Sequence, residues 1–289
     1  MSFDDLPELP PLIHPGATEY AERCMAWTKE VQARERVTID VAYGRDYWQK
    51  LDVYTPMTAK DEKVPVVIFL HGGAWTNGTK EWMGFMAPGL LAHPAIFVAA
   101  NYRLAPACRF PGPFEDCCDA VAWVYWNIAA FGGDPERIFL GGHSAGGHLA
   151  ALTALRHDRL AARGLPKTVI KGCLPISGSF DLRAAGSAPD GSQARTRELF
   201  LSNPEDSGEA SPILHLARQS PPFLLTYGSN DFPRLIKQAE EMVYQMRQQT
   251  IASIVLKIQG ADHFQVSELC RHVDGEWNLA ARNWIRQIG

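Results

Sequence analysis

The run Ile138-Phe139-Leu140-Gly141-Gly142-His143-Ser144-Ala145-Gly146-Gly147-His148-Leu149 decides the fold. Its first three residues read as a buried strand. From His143 to Leu155 the chain reads as an apolar helix that begins at a glycine-rich turn. Between the two stands Gly142-x-Ser144-x-Gly146. A bare G-x-S-x-G pattern is weak, because small residues are common. Placed between a strand and a helix, it has the context that a nucleophile elbow requires. The flanking glycines permit a turn so tight that a side chain there would clash. Ser144 is then expected at the carboxyl end of the strand, the edge of an open α/β sheet where ligands bind. The plain alternative is a glycine-rich helix start without chemistry.

Outward from this turn, strand-like and helix-like stretches alternate. Val37–Val41 and Trp48–Tyr54 read as early strands joined near Gly44. The alternation in Gln49-Lys50-Leu51-Asp52-Val53-Tyr54 suggests a half-exposed antiparallel edge. Val64–Leu70 is continuously apolar and reads as a buried strand. Ile96–Ala100, Ile138–Leu140, Val169–Ile176, Phe223–Thr226 and Ile254–Ile258 follow in the same style. Helices are expected at Phe114–Phe131, His143–Leu155, Pro233–Gln249 and Gly275–Ile288. The order implies an α/β fold: a mostly parallel eight-stranded sheet flanked by helices.

Two segments stand outside the alternation. Residues 1–35 hold a proline-rich start and a helical stretch, Glu19–Glu35, and read as a small cap. Residues 179–215 are polar and rich in Gly, Ser, Pro and Asp. They are too long for a plain connection and read as a lid inserted after the sixth strand, with a disordered surface insertion as the alternative. The expectation is a single domain over residues 1–289.

Composition narrows the function. The chain has 289 residues, with 28 basic and 32 acidic side chains and a net charge of −4. No basic run stands out, so neither nucleic acid nor an anionic membrane is expected as partner. No stretch of about 18 apolar residues offers a membrane span. The acidic, proline-rich start lacks the pattern of a signal peptide. The six cysteines form no C-x-x-C pair and read as reduced, partly buried thiols. Asn77-Gly-Thr79 reads as a chance sequon without such a signal. A cytoplasmic protein is expected.

A second motif, His71-Gly72-Gly73-Ala74-Trp75, follows the strand Val64–Leu70 directly. Acyl transfer builds negative charge on a carbonyl oxygen, and fixed backbone N–H groups stabilise it. Glycines let the backbone turn such groups inward. His71 reads as a brace for this loop rather than a base. An ordinary glycine turn is the alternative.

A serine hydroxyl needs a base, and the base needs an orienting carboxylate. The expected chain order is serine, acid, histidine. Tyr227-Gly228-Ser229-Asn230-Asp231 follows the strand Phe223–Thr226. Gln259-Gly260-Ala261-Asp262-His263-Phe264 follows Ile254–Ile258. Asp231 and His263 thus fall at late strand ends, in that order. Of the nine histidines, His143 precedes the serine, His148 and His157 belong to the next helix, and His215 lies in the polar insertion. Asp262 is a rival acid, but sequence neighbours rarely orient each other's side chains. His143 and His148 share no helix face well, no H-E-x-x-H occurs, and no metal is expected. No G-x-G-x-x-G marks a dinucleotide site, and no lysine completes a phosphate loop, so no cofactor is expected.

Over roughly residues 35–289 the chain resembles the α/β-hydrolase superfamily. More narrowly, His71-Gly72-Gly73-Ala74-Trp75 is similar to the HGGxW motif of kynurenine formamidases (arylformamidases). Asn101-Tyr102-Arg103-Leu104-Ala105-Pro106 and Phe131-Gly132-Gly133-Asp134-Pro135 resemble that group and the hormone-sensitive-lipase-type esterases. The amino-terminal helix, Val41-Ala42-Tyr43-Gly44 and Leu51-Asp52-Val53-Tyr54 resemble bacterial arylformamidase-like proteins. The resemblance implies Ser144 as nucleophile, Asp231 as acid and His263 as base. It implies oxyanion donors from the N–H groups of Gly73, Ala74 and Ala145. Ala74 stands where lipase-type esterases carry a further glycine, which favours the formamidase-like branch.

Trp75, Trp82, Phe85 and Phe180 lie on or near these loops and could line an aryl or acyl pocket. Packing and lid closure explain them equally well. The expectation is a cofactor-independent serine hydrolase acting on a small carboxylic ester or aryl amide. A short-acyl carboxylesterase without formamidase activity is the looser version. A binding protein on the same fold, or a lyase or acyltransferase using the same three residues, are the rival classes. A homodimer is compatible with the sequence, although no interface is legible in it.

Overall fold

The computed structural model describes residues 9–12, 14–57, 63–183 and 192–288. Eight strands form one sheet: β1 (Arg36–Ala42), β2 (Lys50–Thr55), β3 (Val64–Leu70), β4 (Ile96–Ala100), β5 (Gly133–His143), β6 (Ile170–Ile176), β7 (Phe223–Gly228) and β8 (Ser253–Ile258). Their spatial order is β1-β2-β4-β3-β5-β6-β7-β8. β2 runs antiparallel to β1 and β4, and all other neighbours are parallel.

Helices cover both faces. In chain order they are α1 (Ala17–Gln32), α2 (Ala87–Leu91), α3 (Gly112–Asn127), α4 (Ala145–Leu155), α5 (His157–Ala161), α6 (Ser192–Phe200), α7 (Pro233–Gln248), α8 (Gln265–Glu268) and α9 (Glu276–Ile288). The continuous apolar run in β3 follows from its central place. Val66, Ile68 and Leu70 pack on one side with Phe114, Val121, Leu149 and Met242 of α3, α4 and α7. Val67 and Phe69 point the other way, to Tyr20, Leu90, Trp277 and Trp284 of α1, α2 and α9. Alternate residues feed opposite cores, so every side chain from Val66 to Leu70 is buried among apolar neighbours.

Several boundaries differ from the sequence reading. β2 starts at Lys50, because Trp48 and Gln49 belong to the turn. There Asp46 Oδ1 accepts the Trp48 N–H at 3.0 Å. β5 starts at Gly133, well before Ile138. Its first half is polar and lies at the sheet margin, so it carries no apolar signal. α4 opens at Ala145, and His143 is the last residue of β5. α1 is shifted about half a turn toward the amino end of the expected Glu19–Glu35 stretch.

Within 179–215 the chain forms α6 and two short 3-10 turns, Pro204–Ser207 and Pro212–His215. Residues 184–191 of that expected lid lie outside the described residues, as do residues 1–8 and 13 of the expected cap. Phe200, at the end of α6, is buried and stacks on Trp75 at 4.6 Å between ring centroids. Among the described residues no helix is long and apolar enough to cross a membrane.

A buried charge cluster fixes the segment that follows the His71–Trp75 loop. Lys80 Nζ lies 2.9 Å from Asp52 of β2, 3.0 Å from Asp40 of β1 and 2.5 Å from Glu81. Its backbone N–H donates to Asn101 Oδ1 beyond β4. Removing the cation leaves buried carboxylates without their partner, which costs roughly 3–5 kcal/mol. Lys80→Met is therefore expected to lower the urea-unfolding free energy by about that amount. A loss below about 1 kcal/mol, the range of exposed pairs, would mean that the cluster is solvated.

Candidate active site

Ser144 sits between β5 and α4 with φ 55° and ψ −116°. That backbone region is strained for a residue with a side chain, typically by about 1–3 kcal/mol. Close packing imposes it. A Cβ on Gly142 would lie 2.3 Å from the Gly146 carbonyl oxygen, and one on Gly146 would lie 2.2 Å from that of Leu70. Both positions exclude every residue but glycine. The Ser144 N–H donates to Ile176 O of β6 at 2.8 Å, pinning the turn to the next strand.

The structure brings Ser144, Asp231 and His263 together from the ends of β5, β7 and β8. His263 Nε2 is 2.9 Å from Ser144 Oγ, and His263 Nδ1 is 2.8 Å from Asp231 Oδ1. Asp231 Oδ1 also accepts the Phe232 N–H at 2.7 Å, and Oδ2 accepts a short hydrogen bond from the Ser177 hydroxyl. Burial alone would raise the Asp231 carboxyl. The hydrogen bond and charge of His263, with those two donors, outweigh it and hold the group below its ordinary range. Asp262, the rival acid, is occupied locally, accepting the Phe264 and Gln265 N–H groups at 2.9 and 2.8 Å.

Three other histidines are buried braces. His71 stacks on Tyr102 at 4.3 Å, and its Nδ1 lies 2.7 Å from Gly72 O. Burial pushes it down to about 4. His143 is pushed down to about 3 by burial and the neighbouring His263. Neutral, it donates Nε2–H to His263 O at 2.9 Å and receives the Tyr20 hydroxyl at 3.3 Å. His148 is pushed down to about 4 by burial; it accepts the Trp75 indole N–H at 2.9 Å and donates to Ala210 O at 2.7 Å. None of these rings is available as a second base.

The loop after β3 turns its backbone through three successive positive φ values: 114° at Gly73, 53° at Ala74 and 62° at Trp75. Thr76 and Asn77 close it by donating to Gly73 O. The N–H groups of Gly73, Ala74 and Ala145 have no acceptor among the described residues, and all three residues line one cavity with Ser144. Ala145 also heads α4, where the helix dipole adds positive potential.

That cavity measures about 90 Å³. Trp75 and Trp82 line it, but Phe85 and Phe180 do not. Phe85 points into the core against Trp27 of α1, at 5.6 Å. Phe180 is 1% exposed and belongs to the other core. Nearness in sequence to a loop does not set the direction of a side chain. The sequence reading missed Tyr20, Phe232, Arg234 and Phe264 as lining residues. Ser177 was also missed, although it directly follows the strand β6, and strand-end placement is the signal that picks out Asp231. Among the described residues, no group of three or more His, Cys, Asp or Glu side chains could hold a metal ion.

Residues 51–246 match the BD-FAE family. The chain is 33% identical to the esterase LipC of Mycobacterium tuberculosis over 77% of its length and 58% of that protein. It is 31% identical to a kynurenine formamidase of Salmo salar, over 87% of this chain and 82% of that one. The chain spans about half to three-fifths of the mycobacterial esterases it matches. An esterase of Pyrobaculum calidifontis superposes with a TM-score of 0.78 at 25% identity, covering 94% and 93% of the two chains.

The low-lying Asp231 carboxyl makes a testable link to stability. A carboxylate whose folded value is depressed stabilises the fold above its ordinary range, and that contribution is lost as pH falls through the depressed value. Ser177→Ala removes one cause of the depression. It is expected to cost about 1.5–3 kcal/mol at neutral pH, and less at acid pH where Asp231 is protonated. Urea unfolding at the two pH values measures the difference, and an equal loss at both would disconnect Ser177 from Asp231.

Proposed function

Because the chain belongs to the BD-FAE family and has the α/β-hydrolase fold of its esterase relatives, we propose that it is a serine hydrolase acting through an acyl-enzyme on Ser144. The observation that carries this is the unbroken hydrogen-bonded series from Ser144 through His263 to Asp231, at 2.9 and 2.8 Å.

The steps follow from the geometry. Ser144 Oγ attacks the carbonyl carbon while His263 Nε2 takes its proton. Asp231 receives Nδ1–H and stabilises the imidazolium without becoming protonated. The carbonyl oxygen, now negative, sits against the N–H groups of Gly73, Ala74 and Ala145. A single well-placed donor of this kind is worth roughly 3–4 kcal/mol in the transition state. The tetrahedral intermediate collapses as His263 gives its proton to the leaving oxygen or nitrogen. Water enters and adds to the acyl carbon as His263 takes its proton; His263 then returns that proton to Ser144 Oγ as the Oγ–acyl bond breaks and the acid leaves. The chain supplies every group these steps use.

The substrate is a carboxylic ester or an aryl amide of arylformamidase type. The aromatic lining of the cavity by Tyr20, Trp82, Phe232 and Phe264 suits a flat leaving group. An esterase and a kynurenine formamidase among the relatives support both versions. A short-acyl carboxylesterase without formamidase activity is the second reading, supported by the mycobacterial likeness.

Two assays separate the readings, one with p-nitrophenyl acetate and one with N-formylkynurenine. Fast deformylation makes the enzyme an arylformamidase; ester cleavage alone makes it a carboxylesterase. In either assay Ser144→Ala is expected to lower kcat by on the order of 10⁴-fold or more, with the fold retained. Turnover near that of the parent protein in this variant would sink the serine mechanism.

A further inference from the structure

Arg234 is the one permanently charged side chain that lines the cavity among the described residues, and no carboxylate lines it. It stands in the first turn of α7, two residues beyond Phe232, and is partly buried. Its Nη1 donates to Ser179 Oγ at 3.2 Å, and Ser179 lines the same cavity. A guanidinium carries five N–H donors. The others on Arg234 find no acceptor among the described residues, and its Nε is buried.

Other partly buried arginines of the chain are treated differently. Arg103 is clamped by Asp116 at 2.7 Å, Arg156 by Asp158 at 2.8 Å, and Arg163 by Asp119 and Glu115 at 2.6 and 2.7 Å. Arg234 forms no ion pair among the described residues. Asp231, three residues earlier, has its oxygens engaged by His263, Ser177 and the Phe232 N–H. Burial lowers the Arg234 guanidinium from its ordinary value, with only partial compensation from the Asp231 charge. A partly desolvated cation without a counter-ion is costly, and it is tolerated where a ligand completes it.

Its position tells which part of a substrate it would meet. In the proposed mechanism the leaving group must lie beside His263, which protonates it. The Phe232 ring lies against the His263 ring at 4.6 Å between centroids, tilted by 33°, and Phe232, His263 and Arg234 line the same cavity. The α7 N-terminus adds positive potential there. We propose that Arg234 is a specificity-determining residue that binds a carboxylate carried by the leaving group, so that the preferred substrates are small acyl esters or amides of an acidic aromatic alcohol or amine. This rests on the serine-hydrolase reading above.

The test uses 3-acetoxybenzoate and its uncharged methyl ester, with the parent protein, Arg234→Gln and Arg234→Lys. The parent is expected to favour the anion in kcat/KM. That preference should fall at least about tenfold in Arg234→Gln, the size of a lost charge-assisted hydrogen bond, and the change should lie in KM. Arg234→Lys, which keeps the charge but not the planar fork, should retain part of it. It also serves if Arg234→Gln does not fold. A parent without preference for the anion, or a ratio unchanged in the variants, overturns the proposal.

Calorimetric binding of the product, 3-hydroxybenzoate, keeps this separate from the mechanism. If no Ser144-dependent turnover appears, the serine-hydrolase reading fails. Binding by the parent that weakens at least about tenfold in the Arg234 variants would still uphold the carboxylate site. No binding, or equal binding by parent and variants, would overturn it.

Discussion

The backbone at Ser144 sets how β3, β5, β6 and α4 meet at the edge of the sheet. Its φ of 55° places a side chain where L-residues rarely go. The turn exists because Gly142 and Gly146 let β5, α4 and the end of β3 approach within distances that no Cβ permits. The hydrogen bond from Ser144 N–H to Ile176 O then ties the turn to β6. Strand, helix and loop are thereby fixed relative to one hydroxyl. The sheet carries Asp231 and His263 to the same edge, on short turns after the paired strands β7 and β8, so the proposed chemistry would draw its precision from strand pairing.

Buried neutral rings hold the remaining parts in place. His71, His143 and His148 are each desolvated and kept uncharged; His143 and His148 each hydrogen-bond two separate segments, while His71 holds its loop by stacking on Tyr102 and bonding Gly72 O. His71 braces the loop that carries the proposed oxyanion donors. His143 links Tyr20 of α1 to the backbone of His263. His148 joins Trp75 to Ala210, beyond α6. Neutral imidazoles suit this task, because each has one donor and one acceptor and needs no counter-ion. The cluster around Lys80 does similar work with charge, holding the chain after the loop against β1 and β2.

The sequence made the central strands legible because both of their faces are buried, which leaves uninterrupted apolar runs such as Val64–Leu70. It hid the first half of β5, whose Asp134 and Glu136 lie at the sheet margin and look like loop. Ser144, Asp231 and His263 could be picked out because each follows a strand, and strand ends converge on one edge. Tyr20 and Arg234 could not. Their roles depend on how α1 and α7 dock over that edge, and no local pattern encodes the docking. Phe85 and Phe180 show the converse: nearness to a loop makes an aromatic residue a candidate for the pocket or for packing alike, and these two side chains turn into the core.

In the proposed mechanism Ser144 carries the acyl group. Intact-mass and peptide mass spectrometry on protein quenched during turnover of p-nitrophenyl acetate measures this directly. A transient gain of one acetyl group, mapped to the peptide holding Ser144 and absent from Ser144→Ala, is the predicted result. Turnover with no acyl adduct at Ser144, or with the adduct on another residue, would contradict it.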